Sequence, residues 1–338
     1  MTVSRREFFG AAAAATISAT YFLSNRQRIF ADEIAQPFST KIYKARITQS
    51  PTPQYCESLK EAGFAGMEVS IMGRDASIAE ARRVRQLVES YDLRIHSVLY
   101  GWANFNIANK YESDLKSVKS ALQIASAYGA DTLLLVTCNV GKMGGDGYPK
   151  KPEAWGFDVD FDPVTLKVKT VAEGDNKPYA DYIAAQNHAT ETSIRAVESL
   201  IPTAAREGVR IGLENVWNNL WCTPKFFAAF CKYFKNAWVG SYLDLGNHTK
   251  YSRCEEWIKE LSDSIIKLHI KGYKVKEVKG KLGGGPGDWT AIDKGSIDWK
   301  SVRKSLNEVR YNGWISVEED LYNDKEYSKI LDKFIAGE

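Results

Sequence analysis

Arg210-Ile211-Gly212-Leu213-Glu214-Asn215-Val216 reads as a short strand ending on a carboxylate. Similar runs with a candidate ligand at or near the C-terminal end recur three times downstream, as Gly240-Ser241-Tyr242-Leu243-Asp244, Ile265-Ile266-Lys267-Leu268-His269-Ile270 and Gly313-Trp314-Ile315-Ser316-Val317-Glu318. Glu214 and Asp244 lie 30 residues apart, and Asp244 and His269 lie 25 apart, which is the length of one strand–helix unit. The 49 residues to Glu318 are stretched by a glycine-rich run. Repeated βα units close most readily into a parallel barrel, whose catalytic groups gather at the C-terminal ends of its strands. The expected fold is therefore α/β, a (β/α)8 TIM barrel.

Two glutamates, an aspartate and a histidine on four neighbouring strands would form an oxygen and nitrogen cage for one divalent ion. Carboxylates suit Mn or Mg, and a single imidazole tilts the choice towards Mn, Co or Zn. Taken singly, each side chain is an ordinary solvated group at a strand end. Four in register are hard to reach by accident.

Outward from these strands, strand-like and helix-like runs alternate. Lys41–Thr48, Gly66–Ser70, Leu93–Tyr100 and Asp131–Cys138 read as strands one to four, the last with an unbroken Leu-Leu-Leu-Val core. The helices between them are expected at Gln54–Ala62, Ile78–Tyr91 (Ser77 its N-cap) and Asp114–Tyr128. Residues 139–180 break the rhythm with Gly, Pro, Asp and Lys around Trp155, Phe157 and Phe161. A loop of that length is commonly functional or disordered. Leaving the fourth strand, it is expected either to half-cover the barrel mouth as a lid or to form a pair of short accessory strands. Ala180–Glu207 is a long helix, and Pro224–Phe234, Ser252–Leu261, Trp299–Arg310 and Lys325–Phe334 complete the set. One domain is expected over residues 40–338, with 139–180 as its β4–α4 insertion.

The first 31 residues differ in kind. Arg5-Arg6-Glu7-Phe8-Phe9 precedes a moderately apolar run from Phe8 to Leu23, only 16 residues long, which resembles a twin-arginine export signal. An ordinary secretory signal and an uncleaved anchor are the other readings, although the run is short for a membrane span. On the first reading the export machinery is a partner and the mature protein is periplasmic or otherwise exported. The body contains no run of about 20 apolar residues, so no stable span is expected there. Residues 1–31 hold four arginines and one glutamate, a net of +3 that equals the whole chain's +3 (45 basic against 42 acidic). The remainder thus carries 41 of each sign. A neutral body has no general attraction for nucleic acid. The five cysteines are odd in number and lack a C-x-x-C pair, which suggests buried thiols, with one disulfide left open for an exported protein.

Leu213-Glu214-Asn215-Val216-Trp217-Asn218, Asp244-Leu245-Gly246-Asn247, Leu268-His269-Ile270-Lys271 and Gly295-Ser296-Ile297-Asp298-Trp299 occur in that order. Together they resemble the xylose isomerase-like TIM-barrel superfamily over roughly residues 40–335, nearest its sugar (phosphate) isomerase/epimerase branch with the ketose 3-epimerases. The resemblance implies one divalent metal, often Mn, held by Glu214, Asp244, His269 and Glu318. Glu319 directly follows, and the strand-end motif selects Glu318 over it. Asn247 stands where many relatives have a second histidine, as in ribulose-phosphate 3-epimerase-like members. Gly272 replaces the aspartate of a common His-x-Lys-Asp motif, which leaves the substrate contacts open.

The chemistry expected is removal of a proton next to a sugar carbonyl, with Glu214 and Glu318 as the acid/base pair from opposite sides of the mouth. A metal would stabilise the resulting enediolate as a Lewis acid. Lys271, His96, Trp102, Trp217 and Asn247 are the candidate substrate contacts. Lys271 could equally be a solvated strand-end lysine, and core packing is the ordinary role of a barrel histidine or a tryptophan. His188 and His248 read as bystanders. Lys267, Lys274, Lys276, Lys279 and Lys281 crowd the seventh loop, where barrels often bind phosphate, but a charge run is usually just solvated. Export favours a free or oxidised sugar, or a glycoside fragment.

Three rivals are a lyase or hydrolase acting on 3-keto-glycosides, an apurinic endonuclease, and a non-catalytic sugar-binding barrel. The endonuclease would need a histidine-rich multi-metal cluster, which four histidines do not supply. A homo-oligomer is compatible with the chain, though nothing in it requires one.

Overall fold

A computed structural model describes residues 38–140 and 159–338. The expected export signal and part of the 139–180 insertion lie outside the described residues. The chain divides into the units Met1–Ser39 and Thr40–Glu338, and the second carries everything below.

Eight parallel strands close a barrel. In chain order they are β1 (Ile42–Thr48), β2 (Gly66–Ser70), β3 (Arg94–Trp102), β4 (Thr132–Val136), β7 (Arg210–Leu213), β8 (Val239–Asp244), β9 (Ile265–Ile270) and β12 (Gly313–Val317). Around the barrel they run β1-β12-β9-β8-β7-β4-β3-β2. The strands β2, β4, β8 and β9 are buried along their whole length, as a sheet covered on both faces must be.

The helices are α1 (Pro53–Glu61), α2 (Ile78–Glu89), α3 (Tyr111–Tyr128), α4 (Ala180–Glu207), α5 (Pro224–Tyr233), α6 (Leu245–Thr249), α7 (Cys254–Leu261), α8 (Trp299–Glu308) and α9 (Asp324–Ala336). The expected N-cap of α2, Ser77, is present, and other helices start on caps of the same kind. Thr52, Ser77, Thr223 and Asp298 each accept a backbone N–H of the first turn, and Asn323 forms a capping box with Glu326. The α3 and α4 helices stop at Gly129 and Gly208, whose φ of 76° and 68° is the left-handed conformation glycine adopts freely.

The main core lies between the barrel and its helices, with a smaller cluster of Leu99, Leu134, Val136 and Tyr242 contributed by β3, β4 and β8. Polar groups are also fully buried, including Glu68, His96, Ser97, Lys267 and Ser316. Lys267 reaches Asp131, its Nζ 2.8 Å from Oδ1, and Asp131 also pairs with Arg94 at 3.1 Å. Burial pushes the Lys267 ammonium down to about 8 despite that partner.

The described part of the insertion contains an antiparallel pair, β5 (Asp160–Phe161) with β6 (Val168–Thr170), the accessory strands of the second reading; residues 141–158, on which the lid reading also rests, lie outside the described residues. Phe161 packs on Phe226 of α5 at 4.5 Å between ring centroids. The glycine-rich segment after β9 is also no open loop: β10 (Gly272–Val275) and β11 (Gly287–Thr290) form a hairpin. All five cysteines are free and buried, which removes the disulfide alternative. No helix among the described residues is long and apolar enough to cross a membrane.

Candidate active site

Glu214 follows β7, Asp244 ends β8, His269 lies in β9 and Glu318 follows β12, and these four strands are consecutive around the barrel. Ligand atoms of Glu214, Asp244 and His269 all lie within 4.8 Å of one another. Glu318 joins them from the far side, its Oε2 3.2 Å from His269 Nδ1. The two glutamates therefore flank the cluster three strand positions apart, closer together than the opposite-sides expectation implied.

Local structure fixes each side chain. Asp244 is both the last residue of β8 and the N-cap of α6, and its Oδ1 accepts the N–H of Asn247 at 2.8 Å. The Asn247 amide then donates to Asp244 Oδ2 at 2.7 Å and to Glu214 Oε1 at 3.1 Å. Only glycine fits at 246, because a Cβ there would lie 2.4 Å from Lys271 Cγ. His248 is buried behind this turn, donating from Nδ1 to the Asp244 carbonyl, and burial lowers its ring to about 4.

His269 is oriented from beneath. Its Nε2 lies 2.8 Å from Glu68 Oε2, which also accepts the Tyr242 hydroxyl at 2.5 Å. Ser97 Oγ lies 3.1 Å from that hydroxyl. Nδ1 is consequently turned into the cluster, where it is buried without a hydrogen-bond partner; Glu318 Oε2 is near it but off the line of a ring N–H. A buried nitrogen left unpaired beside three carboxylates is the donor set a divalent cation takes, and the residues present fit one.

Lys271 supplies positive charge to the same place. Its Nζ lies 2.8 Å from Asp244 Oδ2 and 2.7 Å from Glu318 Oε2. Burial pushes Glu214 up to about 8, helped by Asp244 beside it. Burial also raises Asp244, against the pull of Lys271. For Glu318, burial is outweighed by His269 and Lys271, which hold it well below the usual range. His269 is raised, since Glu68 and Glu318 overcome its burial. Two carboxylates that flank one site thus have opposite proton affinities, a pattern typical of acid/base pairs.

The cluster opens into a cavity of about 360 Å³ lined by Val216, Trp217, Asn247, Lys271, Trp289 and Glu318. Four expected residues, Trp217, Asn247, Lys271 and Glu318, meet there. Trp102 is exposed at the end of β3 and does not line it. His96 is fully buried, its Nε2 3.0 Å from Ser316 Oγ and its ring stacked on Trp314 at 4.7 Å, which gives it a packing role inside the barrel. His188, on α4, meets the Asn106 carbonyl at 3.1 Å. Glu319 turns away from the cavity and accepts the N–H groups of Gly272 (2.9 Å) and Ile292 (3.0 Å), which separates its role from that of Glu318. Of the lysines in this segment, Lys276 pairs with Asp288 at 2.5 Å and Lys281 with Glu173 at 2.9 Å, both on the exposed surface.

Glu68 and Trp289 escaped the sequence reading. Glu68 had a signal, a lone charge inside the buried run Gly66–Ser70. Trp289 had none, because its place depends on the hairpin pairing.

The family model described as Xylose isomerase-like TIM barrel matches residues 56–333. An uncharacterised protein of Methanocaldococcus jannaschii is 24% identical over 163 residues, 43% of this chain; the chain spans 52% of that relative's length. A D-tagatose 3-epimerase-like protein of known structure superposes with a TM-score of 0.63 at 17% identity, covering 87% of this chain and 97% of its own. The 3-keto-D-glucoside 4-epimerase of E. coli gives 0.59 at 13% identity, covering 87% and 99%.

Proposed function

The chain belongs to the xylose isomerase-like TIM barrel family, and on that premise we propose that it is a divalent-metal-dependent sugar isomerase or epimerase. The observation that carries this reading is the meeting of Glu214, Asp244 and His269 within 4.8 Å, with Glu318 closing the fourth side. Glu214, Asp244, Glu318 and His269 Nδ1 would hold the ion, with Mn or Mg favoured by the carboxylates and Co or Zn accommodated by the imidazole. When bound, the ion supplies Lewis-acid stabilisation of negative charge on the sugar oxygens.

The protein's own groups do the rest. Glu318, held ionised by its cationic neighbours, is suited to take the proton from the carbon beside the carbonyl. Glu214, whose burial favours its protonated form, is suited to deliver one from the other flank. Asn247 fixes the Glu214 carboxylate by its amide. Lys271 gives two of its three protons to Asp244 and Glu318, and the third is left for a substrate oxygen. A proton returned to the same carbon on the other face gives an epimer, and one returned to the neighbouring carbon gives an isomer.

The twin-arginine-type signal over residues 1–31 supports a periplasmic or otherwise exported location, and hence a sugar without phosphate. Lysis of a 3-keto-glycoside is the second reading, favoured by the same cluster: a leaving group departs from the carbon next to the one deprotonated. Heavy-water exchange over a panel of ketoses and oxidised sugars separates them. Deuterium at a carbon of an intact sugar supports the isomerase/epimerase, and release of an aglycone without it points to the lyase. No exchange and no release with any metal would remove the enzyme reading.

A further inference from the structure

The cavity has two unlike ends. Glu318, Lys271 and Asn247 form the polar end, and the indoles of Trp217 and Trp289 form the other. Trp289 remains 48% exposed, although its ring stacks on Trp217 with centroids 4.9 Å apart and planes 19° from parallel. Tyr273 meets both indoles edge-on, at 6.1 and 5.3 Å. A single exposed apolar side chain requires no explanation. This one differs because it lies in a paired strand, stacked on Trp217 and beside Tyr273, at the edge of the cavity.

The hairpin that carries Trp289 pairs in register through Gly272–Thr290, Tyr273–Trp289, Lys274–Asp288 and Val275–Gly287. Its base is tied down by Glu319, which accepts the Gly272 N–H one residue along from Glu318. The indole is thereby set at a fixed distance from the carboxylate cluster. Lys271 spans the gap, its Nζ 5.1 Å from the Trp289 ring centroid and 2.7 Å from Glu318. Lys250 lies 4.1 Å over Trp217. An indole face bordered by ammonium groups suits a pyranose, whose C–H face stacks on the ring while its hydroxyls meet the charges.

We propose that Trp289, backed by Trp217, is a second subsite that stacks a sugar ring joined to the one at the cluster, so that the substrate class is a glycoside and not a free monosaccharide. The proposal rests on the isomerase/epimerase reading for what happens at the first ring. It adds a specificity-determining contact that the metal cluster does not supply.

Binding to the full chain after chelation, read by calorimetry, tests it with cellobiose, maltose, lactose, sucrose and trehalose, each against its constituent monosaccharides. At least one disaccharide should bind about tenfold more tightly than either constituent, equivalent to about 1.4 kcal/mol. Trp289→Ala should abolish that preference, and Trp289→Phe should retain part of it. A panel with no disaccharide preferred, or a preference that survives Trp289→Ala, overturns the subsite. Failure of the isomerase/epimerase reading is separately visible, as preserved disaccharide binding without hydrogen exchange in the metal-loaded protein.

Discussion

Glu68 Oε2 stands 2.8 Å from His269 Nε2, so a carboxylate on β2 sets the direction of a ring on β9 across the inside of the barrel. Both groups are buried, and the Tyr242 hydroxyl holds the same oxygen at 2.5 Å. Partners of this kind fix which imidazole nitrogen faces a metal and raise its basicity. Glu68→Gln is expected to weaken Mn binding about 10- to 100-fold while leaving the circular dichroism spectrum intact. Titration calorimetry with Mn measures it, and a variant that binds Mn as the parent does would show that the pair is mere packing.

Glu214→Gln and Glu318→Gln each remove a proton carrier with little change in shape. Loss of acid/base transfer should lower deuterium exchange into the sugar by about 10²- to 10⁴-fold, with the thermal midpoint near that of the parent. Chelation should abolish exchange and re-addition of Mn should restore it. Full activity in either variant would assign the chemistry elsewhere.

The Lys267–Asp131 pair is buried at one end only, since Lys267 is 2% and Asp131 34% exposed. Removing the carboxylate strands a buried ammonium, whereas removing the lysine leaves an aspartate that water still reaches. Asp131→Ala should therefore cost about 3 kcal/mol, the low end for breaking a buried pair, and Lys267→Met should stay within about 1 kcal/mol. Urea denaturation of both variants checks the asymmetry, and equal costs would contradict it.

Between pH 6.5 and 8 the metal-free protein should lose stability as pH rises. Glu214 and His269 are both raised, so the folded chain keeps protons that the unfolded chain has released, and such stabilisation fades as pH climbs towards the folded value. Each retained proton contributes about 1.4 kcal/mol per pH unit at most. His96 and His248, held low by burial, act with the opposite sign only below their ordinary range near pH 6.5, and Lys267, lowered to about 8, begins to do so at the top of the window without outweighing the two raised groups. Thermal melts across this window in chelator test the slope, and a flat or rising midpoint would refute it.

Most of the barrel could be read from the sequence because each unit announces itself locally, through a run such as Thr132–Val136 or a cap such as Ser77. The Glu214, Asp244, His269 and Glu318 positions were legible for the same reason, as all end or nearly end their strands. What needed coordinates was pairing at long range. Glu68 and His269 are 201 residues apart, and no local pattern couples them. His96 also needed its surroundings: β3 carries one extra residue opposite β2, since Met67 pairs with Ile95 and Glu68 with Ser97. That irregularity accompanies the burial of both His96 and Ser97, and a simple alternation would not have placed them so. The hairpin at Gly272–Thr290 was hidden because glycine runs read as loops, yet Gly287 pairs so closely that a Cβ would meet the Lys274 carbonyl oxygen at 2.2 Å.

With its ammonium lodged between Asp244 and Glu318, Lys271 is a built-in placeholder. Three carboxylates crowd the upper barrel, and a chain with no internal counterion would have to wait for a cation before closing around them. This one can close first, so that if an ion is taken up, assembly and loading would be separate events and the finished scaffold would tolerate surroundings in which the ion is scarce.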